Sequence, residues 1–154
     1  MGYHVHILRT NGAKSKPILR SEIEKLVEDS PHLTIQDRAL NSAEFDLVVT
    51  KSGVDVLRLI FQHGQLWSKN PTPDEINQMI NIANRLGARV RGDELETYRS
   101  LIEVYNHPDD LEEIHRAKQR SVDYLKRHNQ IKNFWLVVRI VLALMLIAAV
   151  FIKK

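Results

Sequence analysis

Cysteine is absent from the chain, which removes disulfides and thiolate metal sites from consideration. A clustered excess of basic residues is missing too. Of the 22 Lys and Arg, Arg139, Lys153 and Lys154 sit in the final apolar stretch, leaving 19 against 19 acidic residues over 1–132. Binding a phosphate backbone draws on such an excess, so nucleic acid is excluded as the partner. The isoelectric point of about 9.2 belongs to the tail. Glycine is sparse, and Gly12 has no second glycine or Gly-Lys-Ser/Thr beside it, which excludes a phosphate loop. There is no Gly-x-Ser-x-Gly elbow and no His-Glu-x-x-His, which points away from an enzyme. The start, MGYHVHILRT, lacks a charged stretch followed by a long apolar one, as a secretory signal requires. His6 stands where myristoylation of Gly2 wants Ser or Thr.

What the chain does have is a long hydrophobic run at its end. Phe134 to Ile152 reads FWLVVRIVLALMLIAAVFI, nineteen residues with one charge. At about 1.5 Å per residue that is roughly 28 Å, close to the ~30 Å of a bilayer core. The run is apolar all round, which suits a span rather than a half-buried helix. The expectation is a tail-anchored, single-pass protein of the inner membrane, with an anchor over 133–154. Six basic residues between Arg116 and Lys132 against two at the end place the preceding domain in the cytoplasm. The same basic residues, 116–132, would meet anionic lipid. Trp135 falls at interfacial depth, and Arg139 either snorkels to the headgroups or pairs with an acid on another membrane helix.

Ahead of the anchor, turn and capping signals divide the chain. Tyr3–Arg9 alternates and predicts a strand, and Asn11-Gly12 with Pro17 marks a loop. Ser21 with Glu24 suggests a capping box for a helix to about Asp29. Strands are predicted at Phe45–Thr50 and Val56–Gln62, with His63-Gly64 turning into Gln65–Lys69. Thr72-Pro73-Asp74-Glu75 opens a helix that Gly87 closes, and Ala88–Arg91 returns as an edge strand. Leu95, Tyr98, Leu101, Ile102 and Tyr105 predict a further helix, and Asp109–Gln130 a longer one. The expected fold class is α+β: a small sheet covered by two or three helices over 1–105, a juxtamembrane helical stalk over 106–132, and one transmembrane helix. Leu111, Ile114, Val122 and Leu125 give the stalk an imperfect heptad seam, enough for weak homo-oligomerisation.

With these motifs placed, the chain resembles a family of small uncharacterised bacterial proteins. The resemblance lies in Tyr3-His-Val-His-Ile-Leu-Arg9, Trp67-Ser-Lys69-Asn70-Pro71, Leu86-Gly-Ala-Arg89-Val, and Gly92-Asp93-Glu94 followed by Glu96-Thr-Tyr98. It covers about residues 1–98, with Ile23 standing where an aromatic is expected. It implies a bacterial source and an α+β domain to which the tail is an addition. Occurrence of such proteins beside toxin genes would imply an immunity or accessory role at the membrane.

His4 and His6 are two apart on a strand and share a face, so with Asp93 or Glu94 they suggest a zinc site. Without an obvious third ligand the histidines read as one partly buried residue and one exposed neighbour, so no metal or other cofactor is assigned. The candidate ligand- or partner-binding set is His6, Arg9, Lys69, Asn70, Arg89, Asp93 and Glu94, charges at element ends that a small sheet can gather into a cleft. The leading expectation is a membrane-tethered, non-catalytic module that binds another protein. A membrane-associated enzyme or small-ligand sensor using the His4/His6–Arg9–Asp93 region, and a subunit of a larger membrane complex, are the alternatives.

Overall fold

The computed structural model describes residues 2–12, 14–38 and 43–152, and their side chains except at 129, 133–134, 136–138 and 140–152. The chain divides into two compact units, residues 1–112 and 113–154.

Among the described residues the first unit is built on nine strands: β1 (His4–Asn11), β2 (Lys14–Lys16), β3 (Leu33–Asp37), β4 (Phe45–Lys51), β5 (Val54–Gln62), β6 (Gln65–Lys69), β7 (Arg89–Gly92), β8 (Glu96–Tyr98) and β9 (Val104–Asn106). Their order is β3-β4-β5-β6-β1-β7-β8-β9, with β2 paired to β1, and every pairing is antiparallel. Two helices, α1 (Arg20–Glu28) and α2 (Pro73–Arg85), supply Ile23, Leu26, Met79, Ile82 and Ala83 to one core. Alternate strand positions complete that core: Val5 and Ile7 of β1, Leu47 and Val49 of β4, Leu57 and Leu59 of β5, and Val90 of β7. The intervening positions of β1 and its neighbours, His6, Trp67 and Arg91, stand in register across β6, β1 and β7 on the other face.

Local chemistry explains most boundaries. His63 and Gly64, at φ 51° and 73°, form the two-residue turn that joins β5 to β6. Thr72 caps α2: its Oγ1 accepts from Glu75 N–H at 3.4 Å, and Glu75 Oε2 accepts from Thr72 N–H at 2.6 Å. Thr72→Ala should therefore lower stability by about 1 kcal/mol in a denaturant titration, with no change in the slope of the transition. The capping partner of α1 is not the Ser21–Glu24 pair; the Leu19 N–H donates to Glu22 Oε2 at 2.8 Å, two residues earlier.

The fold expected from the sequence is corrected in four respects. The sheet is not small: β2 and β3 join it, β3 pairing along its whole length with β4. The helix expected around Leu95–Tyr105 is the β8–β9 hairpin. Leu95 takes φ 68° in the turn after β7, and a loop held by Glu103 N–H to Ser100 Oγ (3.0 Å) and Arg99 N–H to Glu103 O (3.0 Å) joins the two strands. Ile102 is 97 % exposed there, whereas an amphipathic helix would have buried it. The strand expected at an edge, β7, lies between β1 and β8; among the described residues the edges are β3 and β9.

The fourth correction concerns the membrane. The helix α3 (Leu111–Ile152) begins after a 3-10 turn at Pro108–Asp110, and from Glu113 onward it makes up the described part of the second unit. No helix among the described residues is long and apolar enough to cross a membrane, which overturns the expected transmembrane helix, tail anchor and inner-membrane location. Over residues 111–132 α3 carries charged or polar side chains in every turn, nearly all exposed. The apolar run from Phe134 to Ile152 on which the expectation rested lies, in its side chains, outside the described residues except at Trp135 and Arg139, both exposed. Within α3, Tyr124 and His128 stack at 6.5 Å on the exposed surface.

Candidate functional site

The candidate residues do not form one cleft; β1 sends them to its two ends. At the first end His4 N–H donates to Asp93 Oδ2 at 2.7 Å, and the ring Nδ1 lies 3.2 Å from the same oxygen. Trp67, paired across the sheet with His6, meets the His4 ring edge-on at 5.5 Å and stacks on His6 at 6.4 Å. Burial lowers the His6 pKa below its ordinary 6.5, helped by the Arg91 charge, so the imidazole is held neutral. Its Nδ1 is buried without a hydrogen-bond partner. No three His, Asp or Glu among the described residues are grouped to hold a metal ion.

Lys69 stands opposite His4 and is exposed, and Glu94 lies in the turn after β7. Asn70 joins two segments of backbone: at φ 50° its Oδ1 accepts from Tyr3 N–H (2.8 Å) while its own N–H donates to Tyr3 O (2.7 Å). The same end contains a Tyr3–Glu96–Tyr98 cluster, with both phenols on Glu96 Oε1 and 2.8 Å from each other. Burial, reinforced by the Glu96 charge, pushes the Tyr98 pKa up to about 12, so this phenol stays protonated as a donor. Gly92 leaves the space in which Glu96 and Tyr3 meet.

Arg9 and Arg89 lie toward the other end of β1. Arg89 gives a two-pronged ion pair to Asp110, Nη1 to Oδ2 at 2.6 Å and Nη2 to Oδ1 at 2.8 Å. Nη1 also reaches Thr97 Oγ1 at 2.8 Å, and Arg91 Nη1 adds a 3.0 Å contact to Asp110 Oδ1. Both ends of the pair are removed from water, with side-chain exposures of 11 % and 3 %. Burial opposes ionisation of Asp110, but the bonds and charges of Arg89 and then Arg91 outweigh it and hold the carboxyl below its usual range. Thr10 donates to Asp109 beside it. Together these contacts fasten residues 107–110 to the middle of the sheet. Sequence reasoning missed Asp110 because an acid in a first helical turn already had a local explanation in the helix dipole.

Arg9 pairs with Glu22, whose carboxyl is thereby held below its usual range, and its Nη2 donates to Pro17 O at 3.3 Å. Between Arg9 and Arg89 opens a cleft of about 290 Å³ that Lys16 and His107 also line.

A different feature occupies the end of the sheet beyond β8. The β8–β9 hairpin exposes Leu101 (39 %), Ile102 (97 %) and Val104 (45 %) together, and Arg99 lies 5.1 Å above the Tyr105 ring at its base. Nothing in the sequence separated these apolar residues from a buried helical stripe, because their spacing fits one. No family model, curated protein or solved structure matches the chain.

Proposed function

We propose that residues 1–112 form a non-catalytic recognition module that binds another protein through the β8–β9 hairpin. The observation that carries this reading is the apolar tip. An isoleucine 97 % exposed, with Leu101 and Val104 beside it, contributes nothing to the core and is the kind of surface a protein partner covers. The hairpin ends in β9, whose far side has no paired strand among the described residues, so backbone donors and acceptors lie next to the apolar contact. The short, mixed character of β9 (Val104, Tyr105, Asn106) keeps that edge from pairing indiscriminately.

The test is a photo-cross-linking residue placed at position 102 in the full-length chain within its native cell. One discrete adduct of defined stoichiometry is expected, lost when Leu101→Asp is added. The stability of Leu101→Asp should stay within about 0.5 kcal/mol of the wild type, as for surface substitutions generally. A ladder of unrelated adducts, or one unaffected by Leu101→Asp, would sink the assignment. An adduct with a second copy of this chain would redirect it to self-association.

A further inference from the structure

The cleft between Arg9 and Arg89 lies outside the hairpin surface, and its chemistry is different. Three permanent cations line it from three strands: Arg9 of β1, Lys16 of β2 and Arg89 at the start of β7. His107 adds a titratable imidazole, and Leu8 and Ala88 supply apolar wall. No carboxylate is among the lining residues described. Each guanidinium is anchored by an acid outside the lining, Arg9 by Glu22 and Arg89 by Asp110, so both are fixed in direction. Asp109 lies nearby but is engaged with the Thr10 hydroxyl and 3.8 Å from His107 Nδ1.

Donor capacity is left over. The Nε of Arg9 and the Nε of Arg89 are buried without a hydrogen-bond partner, each a donor left unused at the cleft's two guanidinium groups. The loop closing α2 reaches the cleft at Gly87, but Ala83 O and Asn84 O already accept from Ala88 N–H (2.8 Å) and Gly87 N–H (3.2 Å). The negative end of that helix is therefore largely spent.

We propose that this cleft binds a phosphate monoester of a small organic group. A carboxylate offers two oxygens in one plane, which Asp110 uses to take the Arg89 fork and one bond from Arg91. Cations arriving from three strands suit a group with three terminal oxygens and more than one negative charge. The volume, about 290 Å³, lies at the low end for small-molecule sites and exceeds the needs of an inorganic ion. The apolar wall of Leu8 and Ala88 takes the organic part.

The experiment is calorimetric titration of the full-length chain with phenyl phosphate, inorganic phosphate and acetate at one ionic strength held by chloride. Phenyl phosphate is expected to saturate with a Kd of about 1 mM or tighter, and inorganic phosphate to compete with it. Lys16 is exposed, so Lys16→Glu should keep the thermal midpoint of the free protein and weaken phenyl phosphate at least about tenfold. Absence of saturable binding, equal affinity of Lys16→Glu with an unchanged midpoint, or acetate binding as tightly as phosphate would each overturn the proposal.

Discussion

Asp110→Asn should destabilise the first unit by about 3–5 kcal/mol, the loss that follows when one partner of a buried ion pair is removed and the other charge stays behind. The substitution keeps the shape of the side chain but leaves Arg89, 11 % exposed, and Arg91 facing a neutral amide. A urea titration followed by tryptophan fluorescence, with Trp135→Phe in the background so that Trp67 alone reports, reads this as a fall in midpoint at nearly constant slope. The companion test is Arg89→Met combined with Asp110→Leu. Replacing both charges by apolar groups removes the unpaired charge, so the double variant should be more stable than either single one. A double variant as weak as the sum of its parts would show that the pair acts through its geometry rather than through charge.

The pair also sets an acid limit. The Asp110 carboxyl is held below its ordinary 3.8 in the folded state, so the unfolded chain takes up the proton first as pH falls. Its contribution is complete above about pH 4 and is lost below that, as pH falls through the depressed folded value. His6 acts in the same direction over a higher window. Its folded pKa lies below 6.5, so its neutral form favours folding above pH 6.5, and that advantage declines as pH drops below it. The wild type should therefore lose stability in two stages on acidification; Glu22, also held below its ordinary 4.5 by Arg9, shares the lower one, so Asp110→Asn should shrink that stage without abolishing it. A single stage in the wild type would refute the assignment of two windows.

Gly64→Ala has the second-largest expected effect, a loss of roughly 2–5 kcal/mol from two additive causes. The residue sits at φ 73°, where an L side chain costs about 1–2 kcal/mol. A Cβ there would lie 2.5 Å from Pro17 Cβ and 2.9 Å from Pro17 Cα, and overpacking of this kind costs about 1–3 kcal/mol. The contact reaches backbone, so it cannot be relieved by a rotamer change. Any shift also pulls on the Ile18 N–H to Gly64 O hydrogen bond of 2.9 Å, which ties the chain before α1 to the β5–β6 turn. Gly53→Ala is the control: φ is 78° there, but the added Cβ meets nothing within 4 Å. Chemical denaturation of the two variants should separate the conformational cost, common to both, from the packing cost at Gly64 alone. Equal losses would remove the packing contribution.

Legibility followed the range of the interactions. Thr72, Pro73 and Glu75 cap a helix from within three residues of one another, and His63-Gly64 makes its turn from two, so both were readable. β3 was not: Leu33–Asp37 is short, mixed in polarity, and is a strand because β4 pairs with all five of its residues. The β8–β9 hairpin was misread because Leu95, Tyr98, Leu101, Ile102 and Tyr105 satisfy a helical period by coincidence. What decided the matter was the positive φ at Leu95 and the loop bonds of Ser100 and Glu103, which a periodicity does not register. The candidate charges were picked out as residues but not as partners. Arg9 and Arg89 converge, whereas Lys69, Asn70 and Asp93 go to the opposite end of β1, because antiparallel pairing places Leu8 against Arg89 and His4 against Lys69. Asp110 had no long-range signal at all.

The central place of β1 has a consequence for how the molecule forms. Val5 is flanked by Ser68 on one side and Gly92 on the other, so β1 waits for β6 and β7, which follow it in the chain, before it is paired on both sides. The β3–β4–β5 meander is local and can assemble during that wait, while Val5 and Ile7, destined for full burial, remain in search of partners. Closing such distant contacts carries a loop-entropy cost before any reward, which slows folding relative to a sheet built from local pairings alone. Until β6 and β7 arrive, the part of β1 that β2 does not pair, His4–Leu8, carries unsatisfied edges, and vulnerability to misassembly is concentrated there.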